Sequence, residues 1–227
     1  DLATLALGAV DVPMFTSLPA SQVAFIVADS EAAFLVVSDR SQLAKALQVR
    51  QVCPDLTLVA MDDLDLMMFE QPLDWEDIVR HRELQSRLKT PICLDESITS
   101  LDRAQDMVTL GAGRIINIKP GRVGGFGPSL AIHDFCEANG VPVWCGGMLE
   151  SGIGRAYNVA LASLPNFQKP GDVSPSARYW ARDVVTPEWT MTPDGMVKVP
   201  LHRPGLGVTV DVGRIDDLTV RLERLGE

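Results

Sequence analysis

The sequence has 227 residues, 46% of them hydrophobic, and a formal net charge of −10 at pH 7. This composition is typical of a folded globular chain and excludes a disordered one. The negative charge argues against nucleic acid or an anionic membrane surface as a partner. A small anionic substrate could still bind where a cation or local lysines reverse the field.

Nothing in the sequence indicates export or membrane insertion. The longest apolar runs are far shorter than the roughly 20 residues that cross a bilayer, and no signal peptide is predicted. The four cysteines have neither a CxxC pair nor a zinc-binding spacing, so we expect reduced thiols and a cytoplasmic location. The sequence opens with Asp1 rather than methionine, so we expect the natural N-terminus to lie upstream.

The first part of the chain alternates short β-branched runs with helical stretches, a pattern typical of βα units and a parallel sheet. Predicted strands and helices there are strands 10–15, 33–38 and 56–60, and helices 20–30 and 41–52, the latter with Ser41 as candidate N-cap. A further strand is predicted at 64–69, although only residues 61–63 separate it from the strand before. A parallel crossover needs a dozen or more residues. The alternatives are therefore a hairpin, a bent continuous strand or a break between domains.

Beyond this point the βα rhythm is regular. Predicted helices and strands there are helices 75–88, 101–110, 128–139 and 154–164, and strands 91–94, 114–118 and 142–145. From Pro165 onwards we expect short strands and loops around Trp180, Trp189 and residues 208–212. We therefore predict an α/β fold in which residues 63–227 form half of a (β/α) barrel and residues 1–62 form a small α/β segment.

Charged residues end three successive predicted strands: Glu70 in FEQP, Asp95 in CLDES and Lys119 in NIKPGR. They are 25 and 24 residues apart, about one βα unit each, so we expect them at one edge of the sheet. Two carboxylates there are suited to Mg²⁺, and a lysine beside a divalent cation can donate or accept a proton. Each residue taken alone is more simply a helix cap or an exposed loop residue, and only the repeated placement favours a site.

Four stretches carry a family resemblance: FEQPLDWEDIVRHRELQSRLKTPICLDESITS, GAGRIINIKPGRVGG, VPVWCGGMLESGIGRAYNVALASLPNF and PGDVSPSARYW. They resemble o-succinylbenzoate synthases and N-acylamino acid racemases, members of the enolase superfamily. The resemblance implies that Glu70 and Asp95 bind Mg²⁺ (or Mn²⁺) and that Lys119 is the catalytic lysine. It also implies residues that line the substrate side chain, namely Gly146, Gly147, Met148, Ser151 and Gly152, and residues that support the site, namely Glu96, Asn117 and Glu150.

The chemistry implied by this resemblance is abstraction of a proton α to a carboxylate of a small substrate. In the synthases the intermediate loses water and gives o-succinylbenzoate for menaquinone synthesis, whereas in the racemases it is reprotonated from the opposite face. The resemblance further implies a homo-oligomer as a common assembly of the family.

The family pattern also has a KxK motif two βα units before the glutamate and an aspartate ligand one unit before it. No KxK occurs in this sequence, and counting back leads to Lys45, inside a predicted helix, and then to Ala20. Asp62 or Asp63 is a candidate replacement for the aspartate.

Residues 1–62 instead resemble a segment of AMP-forming acyl-CoA synthetases, without their phosphate-binding loop. The resemblance lies in the stretch DLATLALGAVDVPMFTSLPASQVAFIVADSEAAFLVVSDRSQLAKALQVRQVCPDLTLVAMDD, which ends at Asp63. The sequence therefore leaves two hypotheses: an enzyme of the synthase or racemase type, or an inactive chimeric or truncated barrel that retains weak metal binding.

Overall fold

The computed structural model describes residues 8–223, except for the side chains of Arg40, Asp62 and Asp63. The chain divides into two compact units. The first unit runs through Met67 and includes Ser86–Thr90, and the second contains Met68–Gln85 and the chain from Pro91 onwards. All four cysteines are free thiols.

The first unit is a parallel βαβ unit preceded by a helix. Its elements in chain order are α1 (Ala20–Asp29), β1 (Phe34–Val37), α2 (Arg40–Val52), β2 (Thr57–Ala60) and a 3₁₀ helix (Met61–Leu64). Strands β1 and β2 are hydrogen-bonded in parallel, with Leu35 opposite Leu58. Its core consists of small and branched apolar side chains: Val23, Val27, Leu35, Ala46, Val49 and Leu56.

The start of α2 differs in detail from the prediction. The N-cap is Asp39 rather than Ser41, since the Asp39 carboxylate accepts a hydrogen bond from the Gln42 N–H at 2.9 Å. Lys45 lies within α2, as predicted, and its Nζ donates to the Thr16 carbonyl at 2.6 Å. Lys45 is thus engaged by the first unit's own backbone.

Two strand predictions in this part of the chain are wrong. Residues 10–15 form no strand, because Pro13 has no N–H to donate and this segment pairs with no described strand. Within 64–69, only Phe69 is in a strand, because a 3₁₀ helix ends at Leu64 and Asp65 takes a left-handed conformation with φ 48°. Strands β2 and β3 belong to different sheets, so neither a hairpin nor a continuous strand joins them.

The second unit is built on a four-stranded parallel sheet in the order β3-β4-β5-β6. Its elements are β3 (Phe69–Glu70), α3 (Ile78–Arg87, whose last two residues count with the first unit), β4 (Ile92–Leu94), α4 (Leu101–Leu110), β5 (Ile115–Ile118), α5 (Pro120–Val123), α6 (Phe126–Ala138), β6 (Val143–Cys145) and α7 (Gly152–Ala162). Every residue of β4 and β5 is buried, as expected for a parallel sheet covered on both faces. The predicted α/β fold and the succession of βα units are confirmed.

Local signals explain most helix boundaries in this unit. Ser100 caps α4 through a hydrogen bond from the Arg103 N–H, and Gly111 ends the helix with φ 66°. The short helix α5 was not predicted, although Pro120 at its first position favours a helix start. Because the strands are parallel, the residues that follow β3, β4, β5 and β6 meet at one edge of the sheet.

The C-terminal part of the second unit contains a short antiparallel pair, β7 (Val185–Thr186) and β8 (Thr209–Val210), followed by α8 (Val212–Leu218). Trp189 is buried and packs with Val185 against α7, whereas Trp180 is exposed. In the part of the chain that the structure describes, the helices are too short or too polar to cross a bilayer.

Candidate active site

Glu70, the last residue of β3, presents its carboxylate at the carboxyl edge of the sheet. Its Oε1 accepts a hydrogen bond from Asn117 Nδ2 at 2.8 Å. Partial burial raises the pKa of Glu70, and the negative charges of Asp95 and Glu96 raise it further. The hydrogen bond from Asn117 and the charge of Lys119 act in the opposite direction. Burial and the neighbouring carboxylates thus disfavour the charged form of Glu70, whereas Asn117 and Lys119 favour it.

Asp95 follows β4 and is buried between two cationic side chains. Its Oδ2 accepts a hydrogen bond from Lys119 Nζ at 2.7 Å, and its Oδ1 accepts one from Arg122 Nη1. The exposed fraction is 4% for the Asp95 side chain, 15% for Lys119 and 17% for Arg122. Screening by solvent is therefore weak, and these ion pairs are expected to hold the three side chains in one arrangement.

Lys119 directly follows β5. Its side chain reaches Asp95 through space that is left free by Gly146, the residue after β6. A Cβ on Gly146 would overlap Lys119 Cε and would lie 2.5 Å from the Asn117 amide. The Gly146 N–H donates to Asn117 Oδ1 at 2.7 Å, so the Asn117 Nδ2 group is the one that faces Glu70. A glycine at 146 thus lets the lysine and the asparagine share the space at the ends of β5 and β6.

The rest of the predicted Gly146–Gly152 turn is held by other contacts. Glu150 accepts hydrogen bonds from the Met148 N–H at 2.8 Å and from Asn158 Nδ2 at 2.9 Å. A Cβ on Gly147 would overlap the Asp172 carbonyl oxygen. Met148 is exposed beside the turn.

Two further predicted residues of this turn lie at the start of α7. Ser151 is the N-cap residue of α7, and Gly152 donates its N–H to Asp183 Oδ1 at 2.8 Å. A Cβ on Gly152 would overlap the Val185 side chain. Gly152 thus packs against the C-terminal segment that contains β7.

Two residues of this site were missed in the sequence. Arg122 lies one helical turn after Lys119, and this spacing could have indicated that both side chains reach the same carboxylate. Gln71 follows Glu70, and its carboxamide accepts the Asp95 N–H at 2.9 Å. Its place within the FEQP motif was the only available signal.

The fit of the site to a divalent cation depends on Glu70 and Asp95. Within residues 8–223 as described, no group of three or more His, Cys, Asp or Glu residues could hold a metal ion. Glu96 is exposed, and the candidates Asp62 and Asp63 have side chains outside the described residues. Mg²⁺, however, often binds proteins through one or two carboxylates and keeps several waters. A cation bound here would share Asp95 with Lys119 and Arg122, so the donor set fits only a weakly held Mg²⁺.

Residues 29–214 match the family model described as "Enolase C-terminal domain-like". The chain belongs to this family. It is 53% identical over 162 residues to an o-succinylbenzoate synthase of Geobacillus kaustophilus, covering 71% of this chain and 43% of the relative. It is 51% identical over 162 residues to an N-succinylamino acid racemase of Amycolatopsis, with the same shares covered. A solved enolase-superfamily structure from Listeria innocua, 36% identical, superposes with a TM-score of 0.66 over 88% of this chain and 59% of its own.

More than half of the first 62 residues lie within the family match. The family match begins at residue 29, so it includes β1, α2 and β2. The resemblance of residues 1–62 to acyl-CoA synthetases finds no support, and the parallel β1–α2–β2 arrangement is the type of unit that builds a (β/α) barrel. The chain spans about half the length of the curated relatives that it matches.

Proposed function

We propose that this chain carries part of the active site of a Mg²⁺-dependent enzyme that removes a proton α to a carboxylate. The reaction would be that of an o-succinylbenzoate synthase or of an N-succinylamino acid racemase, the activities after which its relatives are named. The observation that carries the proposal is the cluster of Glu70, Asp95 and Lys119 at the ends of three adjacent parallel strands. A small carboxylate is the substrate class that this cluster suits.

Glu70 and Asp95 would hold the cation. When bound, Mg²⁺ would act as a Lewis acid that stabilises the negative charge developing on the substrate carboxylate. Asn117 keeps one oxygen of Glu70 occupied at 2.8 Å, which leaves the other oxygen available. The burial of Asp95 beside Lys119 would keep this part of the site poor in competing water.

Lys119 would transfer the proton. As a neutral amine it would accept the α-proton, and as an ammonium group it would donate that proton to the hydroxyl group that leaves as water. Asp95 holds its Nζ in place, and the absence of a side chain on Gly146 leaves room for the lysine chain to extend along the strand ends. Proton transfer by a positioned side chain contributes roughly 10²–10⁴-fold to such reactions. Since this sequence has no KxK motif, its own residues would supply a base on one face of the substrate. A dehydration can proceed with a single base, whereas racemisation needs a second one on the opposite face.

A second candidate function is cation binding without turnover. The observation in its favour is that the sequence has no KxK motif and that Lys119, the one lysine of the cluster, is ion-paired with Asp95. The two candidates share the cation site and differ only in proton transfer.

Calorimetric titration with Mg²⁺, followed by an assay with the substrate of o-succinylbenzoate synthase, separates these candidates. We expect wild-type protein to bind Mg²⁺ and Asp95→Ala to lose binding. We expect Lys119→Ala to reduce turnover about 100-fold or more, whereas Lys198→Ala, which changes an exposed lysine of the same unit, leaves it unchanged. Cation binding without turnover would favour the second candidate, and the absence of binding in the wild type would exclude both.

A further inference from the structure

We infer that Gln71 is a positioning residue that sets the separation between the Glu70 and Asp95 carboxylates. This inference rests on the proposed cation site and deepens it. The basis is a set of hydrogen bonds through which a single residue joins the carboxyl ends of β3 and β4.

The backbone of Gln71 makes the first connection. Its N–H donates to the Cys93 carbonyl at 2.8 Å, which extends the β3–β4 ladder one residue past Glu70. Its φ is 40°, in the left-handed region that a non-glycine residue seldom adopts. Such a conformation persists only where the surroundings impose it, and such positions are concentrated at functional sites.

The carboxamide of Gln71 makes the second connection. Its Oε1 accepts hydrogen bonds from the N–H groups of Asp95 at 2.9 Å and Ser97 at 3.2 Å. Its Nε2 donates to Ser97 Oγ at 2.8 Å and to the Leu73 carbonyl at 3.2 Å. Two donated and two accepted bonds use the full capacity of an amide, which neither glutamate nor methionine can reproduce.

The remaining partners leave the amide little freedom to rotate. Ser97 Oγ donates to the Trp75 carbonyl at 2.8 Å, so it has no proton to offer and must accept from Gln71 Nε2. The acceptor oxygen of Gln71 therefore faces the Asp95 N–H. As a result, Gln71, which directly follows Glu70, holds the backbone of Asp95. The positions of the two carboxylates are therefore coupled.

A positioning role predicts a loss of cation affinity that exceeds any effect of reduced stability. Removal of residues that orient metal ligands weakens metal binding about 10–100-fold. We therefore expect Gln71→Met, which keeps the side-chain length but removes all four hydrogen bonds, to weaken Mg²⁺ binding at least tenfold. Ser97→Ala should weaken it less, because the carboxamide keeps its bond to the Asp95 N–H.

Gln85 provides a matched control. It is buried, and its Oε1 accepts the N–H of Ile92 at 2.7 Å, at the opposite end of the same strand β4. Gln85→Met thus removes a comparable hydrogen bond to β4 while leaving the carboxyl edge unchanged.

The experiment is a calorimetric Mg²⁺ titration of all four proteins, with the thermal midpoint of unfolding measured for each. We expect Gln71→Met and Ser97→Ala to lose affinity in that order, and Gln85→Met to stay within about twofold of the wild type even where its midpoint falls. Unchanged affinity in Gln71→Met would overturn the inference alone, as would an equal loss in Gln85→Met. If Gln71→Met does not fold, an unchanged affinity in Ser97→Ala overturns it. Absence of binding in the wild type would instead remove the proposed function, and this inference with it.

Discussion

The two units place an aspartate after a β-strand in different ways. In the first unit, Asp39 comes two residues after β1 and caps α2, where its carboxylate accepts from the Gln42 N–H and from Ser38 Oγ. In the second unit, Asp95 follows β4 directly, and Ser100 caps the next helix in its place. Asp95 is therefore free to pair with Lys119 and Arg122. An aspartate after a strand can thus join a site when another residue caps the following helix and cationic side chains lie beyond the end of the neighbouring strand.

The largest expected effect is that of Asp95→Ala. Removing one member of a buried ion pair leaves charges without partners and costs about 3 kcal/mol or more. Here both Lys119 and Arg122 would lose their counter-ion. We expect the free energy of unfolding, measured by urea denaturation, to fall by about 3 kcal/mol. A loss below about 1 kcal/mol would mean that the ion pairs are weakened by solvent as surface pairs are.

The next effect concerns the glycine that makes room for the lysine. Gly146→Ala places a methyl group against Lys119 and Asn117, and overpacking of this kind destabilises by about 1–3 kcal/mol. We expect it to weaken Mg²⁺ binding as well, because Asn117 would no longer hold Glu70. Gly127→Ala is the matched control, since Gly127 lies in α6 with open space around it, and its urea midpoint should be unchanged or higher.

A smaller effect is expected in the first unit for Asp39→Ala. Loss of an N-cap destabilises by about 1 kcal/mol, so the urea midpoint should fall less than in Asp95→Ala. Mg²⁺ affinity should not change, because this carboxylate serves only the helix start and Ser38. An altered affinity would contradict the contrast drawn between the two aspartates.

The smallest effect depends on pH and separates the units. All three histidines, His81, His133 and His202, belong to the second unit. Burial lowers the pKa of His81 below its ordinary value of 6.5, although the hydrogen bond between its Nδ1 and the Asp77 carbonyl acts in the opposite direction. The folded state then binds fewer protons than the unfolded state, so this contribution is present above pH 6.5 and is lost as the pH falls below it.

Hydrogen exchange at pH 7.5 and 5.5 tests this sign. Protection should decrease at pH 5.5 in α3 and its neighbours, and less in α1 and β1. His81→Gln should reduce the pH dependence, whereas the exposed His202→Gln should not. Equal loss of protection in both units would exclude His81 as the cause.

Much of the second unit could be predicted because its signals are local. The boundaries of α4 agree with the prediction, since Ser100 and Gly111 are the cap residues at its two ends. The runs that form β4 and β5 are apolar throughout, as strands buried on both faces must be. The hydrogen bonds of Lys119 to Asp95 and of Asn117 to Glu70 agree with the expectation that the carboxyl ends of parallel strands meet.

The βα order, the family and the three charged residues that end adjacent strands could thus be predicted from the amino-acid pattern, because periodicity, caps and motif spacing are encoded over a few residues. Three features emerged only in the folded chain: Asp65 turns the backbone, Arg122 binds Asp95 together with Lys119, and Gln71 joins two strand ends. These outcomes depend on strand register and side-chain reach between residues more than 20 positions apart, for example Gln71 and Asp95. A hydrogen-bonding group selects among such partners by geometry, which becomes defined only when the sheet has formed.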